Sequence, residues 1–205
     1  MPRHAGLSAS VCLGRLKCSE LPVVLDVWCI EKSFDDLRRR TAASGVEWGS
    51  CMVWEGGLLK LVHEASGWRY GVSPLCKPAD HDCYVGFAHV HLPDPVSGRA
   101  YPGFSAFDFR GALVDGDRLA LVANSGDEAF ALVRTSDATW PARPVPEEEF
   151  RLWQKWFEEA LGAAGAEIER AAWQINRRLC DRLGFAFYYG RWGEPLNLVF
   201  RPLGR

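Results

Sequence analysis

The run Phe87-Ala88-His89-Val90-His91-Leu92, rich in aromatic and β-branched residues and followed by the Pro93-Asp94-Pro95 break, predicts a β-strand. Side chains on a strand alternate between two faces, so His89 and His91 point the same way. Two imidazoles on one face can bind a single metal ion without bending the backbone, and a third ligand must then come from elsewhere in the fold. Ser105 follows a Pro102-Gly103 turn signal and precedes an apolar stretch, which predicts a helix N-cap with Asp108 in the first turn. Alone, an H-x-H is an ordinary pair of histidines and an S-x-x-D an ordinary capping box. Together they supply three metal ligands, His89, His91 and Asp108, from one short stretch of a chain with five histidines in all. Three protein ligands leave a fourth tetrahedral position for water, the arrangement of catalytic rather than structural zinc.

An H-x-H followed by S-x-x-D resembles the pattern of the JAMM/MPN zinc metalloprotease superfamily, in which a Glu lies upstream of the two motifs. The matching upstream segment is Gly45-Val46-Glu47-Trp48-Gly49-Ser50-Cys51-Met52-Val53, where E-x-G precedes a predicted strand as in bacterial members. Downstream, residues 118–134 are similar to the strand, turn, strand that follows the metal motif in that family. The resemblance covers about residues 45–135. It implies an α/β (α+β) fold with a mixed sheet flanked by helices. It also implies Zn²⁺ held by His89, His91 and Asp108, with a bound water whose pKa falls towards about 7. Glu47 would act as general base and then acid, Ser105 would donate to the oxyanion, and the reaction would be hydrolysis of a peptide or isopeptide amide. The family's range of substrates suggests a ubiquitin-like tail, a toxin linker or a cell-wall peptide. A catalytically silent MPN-like scaffold that binds a protein partner is the alternative from another class.

Two features differ from the family pattern. The Leu92 to Phe104 loop is longer than the family's usual interval between the second His and the Ser, and Leu92 stands where Pro is usual. Loop-closure entropy grows by only about 0.6 kcal/mol per doubling of length, so the insertion is compatible with an assembled site. The base has an alternative in Glu55, which is followed by Gly56-Gly57 between two apolar runs and so falls in a predicted hairpin turn. Glu64 is a further contender.

A rival metal site lies just upstream. Cys76, His81 and Cys83 could form a structural zinc module with one of the later histidines, a closed set of four ligands. No phosphate-binding glycine loop, nucleophile elbow or deaminase signature is present in the sequence.

At 205 residues and 48% hydrophobic, the chain can bury a substantial core as a single domain. A net charge of −2 gives no electrostatic case for nucleic acid or an anionic membrane. Seven cysteines, an odd number at irregular spacing, predict reduced thiols and a cytoplasmic setting, with export without a cleaved signal left open. Residues 1–44 read as an N-terminal helical region, with Val27, Ile30, Phe34, Leu37 and Thr41 at helical spacing before Gly45. Residues 45–135 form the predicted core, and a proline-rich connector follows. Over residues 147–205 a long apolar stripe from Phe150 to Leu183 predicts a C-terminal helical extension, split near Gly162 and Gly165. It ends at Gly184 before two short strands.

Overall fold

The computed structural model describes residues 9–12, 15–69, 71–73, 83–93, 98, 100–124, 126–136, 144–162 and 167–202. Eight strands in the described residues make one mixed sheet. In chain order they are β1 (Val24–Leu25), β2 (Trp48–Glu55), β3 (Leu58–Ser66), β4 (Tyr84–His91), β5 (Leu119–Asn124), β6 (Glu128–Arg134), β7 (Phe185–Arg191) and β8 (Leu196–Phe200). Across the sheet the order is β1-β8-β7-β6-β5-β4-β2-β3. Neighbours are antiparallel except β4 and β5, which run parallel from Ala88↔Leu121 to His91↔Asn124. Parallel neighbours need a crossover, and α3 (Ala106–Val114) provides it.

Both faces of the sheet are covered. On one side α2 (Glu31–Ser44) lays Phe34 and Leu37 against Ala88, Val90, Leu121 and Ala131. On the other, α3 is joined by α4 (Glu147–Leu161) and α5 (Glu167–Leu183), so that Phe109, Trp153 and Leu179 pack with Val122, Phe130 and Phe187. A sheet buried on both faces selects continuous apolar strands over alternating ones, and every residue of β4 and β5 is buried. The N-terminal α1 (Ala9–Cys12) adds Val11 and Cys12 to the α2 side. Arg182 of α5 pairs with Glu149 of α4, and the Arg178 guanidinium lies over the Trp156 ring, tying the helix pair together.

The predicted α/β class and the flanking helices are what the chain forms. The predicted α2 stripe is buried at Phe34, Leu37 and Thr41. Val27 is buried too, but ahead of the helix: it follows the short strand β1, a 3₁₀ turn over Trp28–Ile30 intervenes, and the α-helix starts only at Glu31. The C-terminal stripe divides into two helices, with Gly162 capping the first. Most of the predicted connector, residues 137–143, lies outside the described residues. One expectation is corrected. Cys51 is disulfide-bonded, its partner lying outside the described residues, so the thiols are not all reduced. Cys12, Cys18, Cys29, Cys83 and Cys180 are not disulfide-bonded. No helix among the described residues is long and apolar enough to cross a membrane.

Candidate metal centre

Three elements converge on one point. β4 presents His89 and His91 on the face that carries α3, because each is two residues from the next along an extended strand. β2 runs antiparallel to β4 with Gly49 opposite His89. Glu47, two residues earlier and so on the same face as Gly49, falls beside His91. The backbone of Glu47 is pinned on both sides, its N–H donating to the Trp68 carbonyl and its carbonyl accepting from Gly67 N–H. A side chain at Gly49 would meet the Phe87 ring at 2.4 Å. Its absence lets Phe87 lie flat against His89, with the ring centroids 5.6 Å apart.

The third element is the N-terminus of α3. Ser105 is its N-cap: the Ser105 hydroxyl accepts from Asp108 N–H at 3.3 Å, and Ser105 N–H donates to Asp108 Oδ2 at 2.6 Å. This reciprocal capping box locks the carboxylate in the direction of β4. Asp108 Oδ1 then lies 3.0 Å from His89 Nε2, and Oδ2 lies 3.4 Å from His91 Nε2. The two Nε2 atoms are 3.0 Å apart.

These distances decide what the cluster can do. Zinc ligands at about 2.0–2.1 Å in a tetrahedron are separated from one another by about 3.3 Å, close to the 3.0, 3.0 and 3.4 Å found. Two imidazole nitrogens and a carboxylate aimed at one another repel unless a cation or a proton sits among them. Glu47, His89 and His91 are all buried, and their ligand atoms lie within 4.8 Å of one another, a group that could hold a metal ion. The donor set of nitrogen and carboxylate oxygen suits a borderline divalent cation.

The electrostatics express the same crowding. Burial pushes Asp108 up, but His89 and His91 beside it outweigh burial and hold it well below the ordinary carboxylate range. For His91, burial disfavours the charged ring, yet Asp108 and then Glu47 raise it above its usual value. Burial raises Glu47, and the two histidines offset part of that rise. The Tyr101 carbonyl faces the His91 ring and favours its charged form, although neither histidine Nδ1 makes a hydrogen bond of full geometry. Beside His89 and Asp108 opens a cavity of about 60 Å³ walled by Phe87, Phe104, Phe107 and Ala112. Larger hollows, of about 500 Å³ on α2 and about 430 Å³ on α5, gather no comparable set of buried polar groups.

Of the residues singled out from the sequence, the structure brings together Glu47, His89, His91, Ser105 and Asp108. Glu55 is not among them. It sits exposed at the β2–β3 hairpin, paired with Lys60. Glu64 is exposed on β3 and paired with Arg40. Of the rival zinc module, Cys76 and His81 lie outside the described residues, and Cys83 is a free thiol at the start of β4. In the long loop after β4, Pro93 bridges Ala100 in antiparallel fashion, which brings the two together ahead of Ser105.

Two neighbours of the site carried no motif. Asn176 of α5, fully buried, bonds the backbone of Phe104, and the Tyr101 hydroxyl is buried close to Asp108. A signal for Asn176 does exist. It stands three residues before Leu179 and four before Cys180, on the apolar stripe of a helix, where a polar side chain needs a partner. No family model, curated protein or solved structure matches the chain.

Proposed function

We propose that the chain is a zinc-dependent hydrolase of peptide or isopeptide bonds of the JAMM/MPN type, with His89, His91 and Asp108 holding the ion. The convergence of the two Nε2 atoms and the Asp108 carboxylate within 3.0–3.4 Å of one another is the observation that carries this reading. Bound there, zinc supplies Lewis acidity and a water acidified towards neutrality. Glu47 accepts the proton of the attacking water and returns it to the departing amine nitrogen. Its buried setting makes it a stronger base than an exposed glutamate. Ser105, whose oxygen accepts from Asp108 N–H, keeps its hydroxyl hydrogen to donate to the developing oxyanion. Buried Phe87 and Phe104 exclude water beside the reacting bond, and the small cavity that they wall together with Phe107 fits a small group next to the scissile amide.

The test is metal content by elemental mass spectrometry, followed by a peptidase screen with fluorogenic peptides and lysine isopeptides. About one zinc per chain is expected in the wild type and in Glu47→Gln, and none in His89→Ala, His91→Ala or Asp108→Ala. Glu47→Gln is expected to lose hydrolysis by about 10²–10⁴-fold while keeping its zinc. Zinc retained with no hydrolysis of any probe would favour the silent scaffold. Zinc lost in Cys83→Ala would favour the structural module.

A further inference from the structure

The segment from Tyr101 to Asp108 holds two parts of the metal centre at once. Its Tyr101 carbonyl faces the ring of His91 and also accepts from Gly103 N–H at 3.1 Å. Its Ser105 N–H fixes Asp108 Oδ2. Between these two points the chain has no regular secondary structure to keep it in place. The hold comes from Asn176, 72 residues further along the chain on α5. Asn176 Oδ1 accepts from Phe104 N–H at 3.0 Å, and its Nδ2 donates to the Phe104 carbonyl at 3.1 Å. A second donation from Nδ2, to the Ala172 carbonyl at 2.9 Å, anchors the amide to its own helix. The side chain thus pairs with Phe104 as a neighbouring strand would, through donor and acceptor together, and both its polar atoms are occupied.

The approach is close from the other side as well. A Cβ at Gly103 would meet Asn176 Oδ1 at 3.0 Å, and Gly103 has φ +127°, a conformation that disfavours other residues. Gly103 therefore lets the segment approach α5 closely enough for the clamp to form. Resting on the metal-site reading above, we infer that Asn176 is a positioning residue of that site: it sets the direction of Asp108, and of the carbonyl facing His91, through the backbone of Phe104. The C-terminal helix pair then belongs to the active centre rather than being an appendage to it. Supports of this kind that orient ligands typically alter metal affinity by about 10–100-fold when removed.

The experiment measures zinc affinity of the full chain by competition with a chromophoric chelator. The visible spectrum of the cobalt-substituted protein reports ligand geometry. Asn176→Leu removes the clamp while keeping the same branched heavy-atom skeleton, and Gly103→Ala presses on it while leaving the sequence of α5 unchanged. Leu179→Ala, equally buried on the same helix but with no polar group to lend, controls for general loosening. Asn176→Leu and Gly103→Ala are expected to bind zinc about 10–100-fold more weakly and to shift the cobalt spectrum. Leu179→Ala is expected to lose thermal stability but keep wild-type affinity and spectrum. Wild-type affinity in both clamp variants overturns the inference, as does an equal loss in Leu179→Ala. Should Asn176→Leu fail to fold, Gly103→Ala decides. A wild type that binds neither zinc nor cobalt brings down the metal-site reading itself, whereas one that binds both alongside unaffected clamp variants overturns only the clamp.

Discussion

Asp117 shows how far one side chain can be moved by its surroundings. It is enclosed beneath the α3–β5 connection, takes a 2.6 Å hydrogen bond from the Tyr84 hydroxyl, and has Asp115 close by and Arg134 only partly compensating. Burial, with Asp115 adding to it, pushes the carboxyl from 3.8 up to about 8. The folded state therefore holds this proton more tightly than the unfolded chain does. That stabilisation is fully present below about pH 4 and is lost as pH rises through about 8. Asp117→Asn, which keeps an acceptor for Tyr84 but cannot ionise, is expected to flatten the pH dependence of the urea midpoint between these limits; an unchanged slope would place the titration elsewhere. At this level the sequence was most legible where chemistry is local. The spacing of His89 and His91 puts them on one face through strand alternation, and that of Ser105 and Asp108 makes the capping box. Glu47 needed the pairing of β2 with β4 as well, which local spacing does not reveal; it was singled out only as the upstream Glu of the resemblance. Asp117 and Asn176 were silent because their partners, Tyr84 and Phe104, are 33 and 72 residues away.

Among the elements, β4 is buried along its whole length. It is flanked by β2 on one side and β5 on the other, and Gly86 is where the packing is closest. A Cβ there would meet the Leu119 carbonyl oxygen at 1.9 Å, a contact that only backbone displacement could relieve. Gly86→Ala is therefore expected to destabilise the fold by roughly 1–3 kcal/mol, measured by chemical denaturation, and to shift His89 and His91 of the proposed metal site along with the strand. A variant of wild-type stability would mean that β4 and β5 can separate at no cost. Element types were readable because α2, α4 and α5 carry strong apolar stripes and the hairpin at Gly56-Gly57 has unmistakable turn residues. Boundaries were less so. Val27 continues the stripe of α2 in sequence while belonging to the turn before it, since burial alone does not reveal which backbone conformation achieves it.

For the molecule as a whole, the ends matter as much as the middle. The resemblance that reads the site from sequence covers residues 45–135 and leaves both flanks unexplained, yet the sheet is completed by strands from each. β7 and β8 extend it beyond β6, and among the described residues β1 pairs only with β8, Val24 opposite Asn197. Tyr188 on β7 donates to the Pro22 carbonyl, and Arg201 reaches the carbonyls of Cys18 and Leu21. Nothing in the sequence pattern foretold this closure, because edge pairing depends on which strands remain unpaired after the local units have formed. The β1–β8 pair also imposes an order in time. As the chain is synthesised, β4, α3 and β5 can come together early, whereas β1 must wait for β8, its strand partner among the described residues, and pairings so distant in sequence form late. In refolding followed by pulsed hydrogen exchange, the amides of Leu121 and Val122 are expected to be protected before those of Leu196 and Leu198. The site would then take shape in a molecule whose first strand is still waiting.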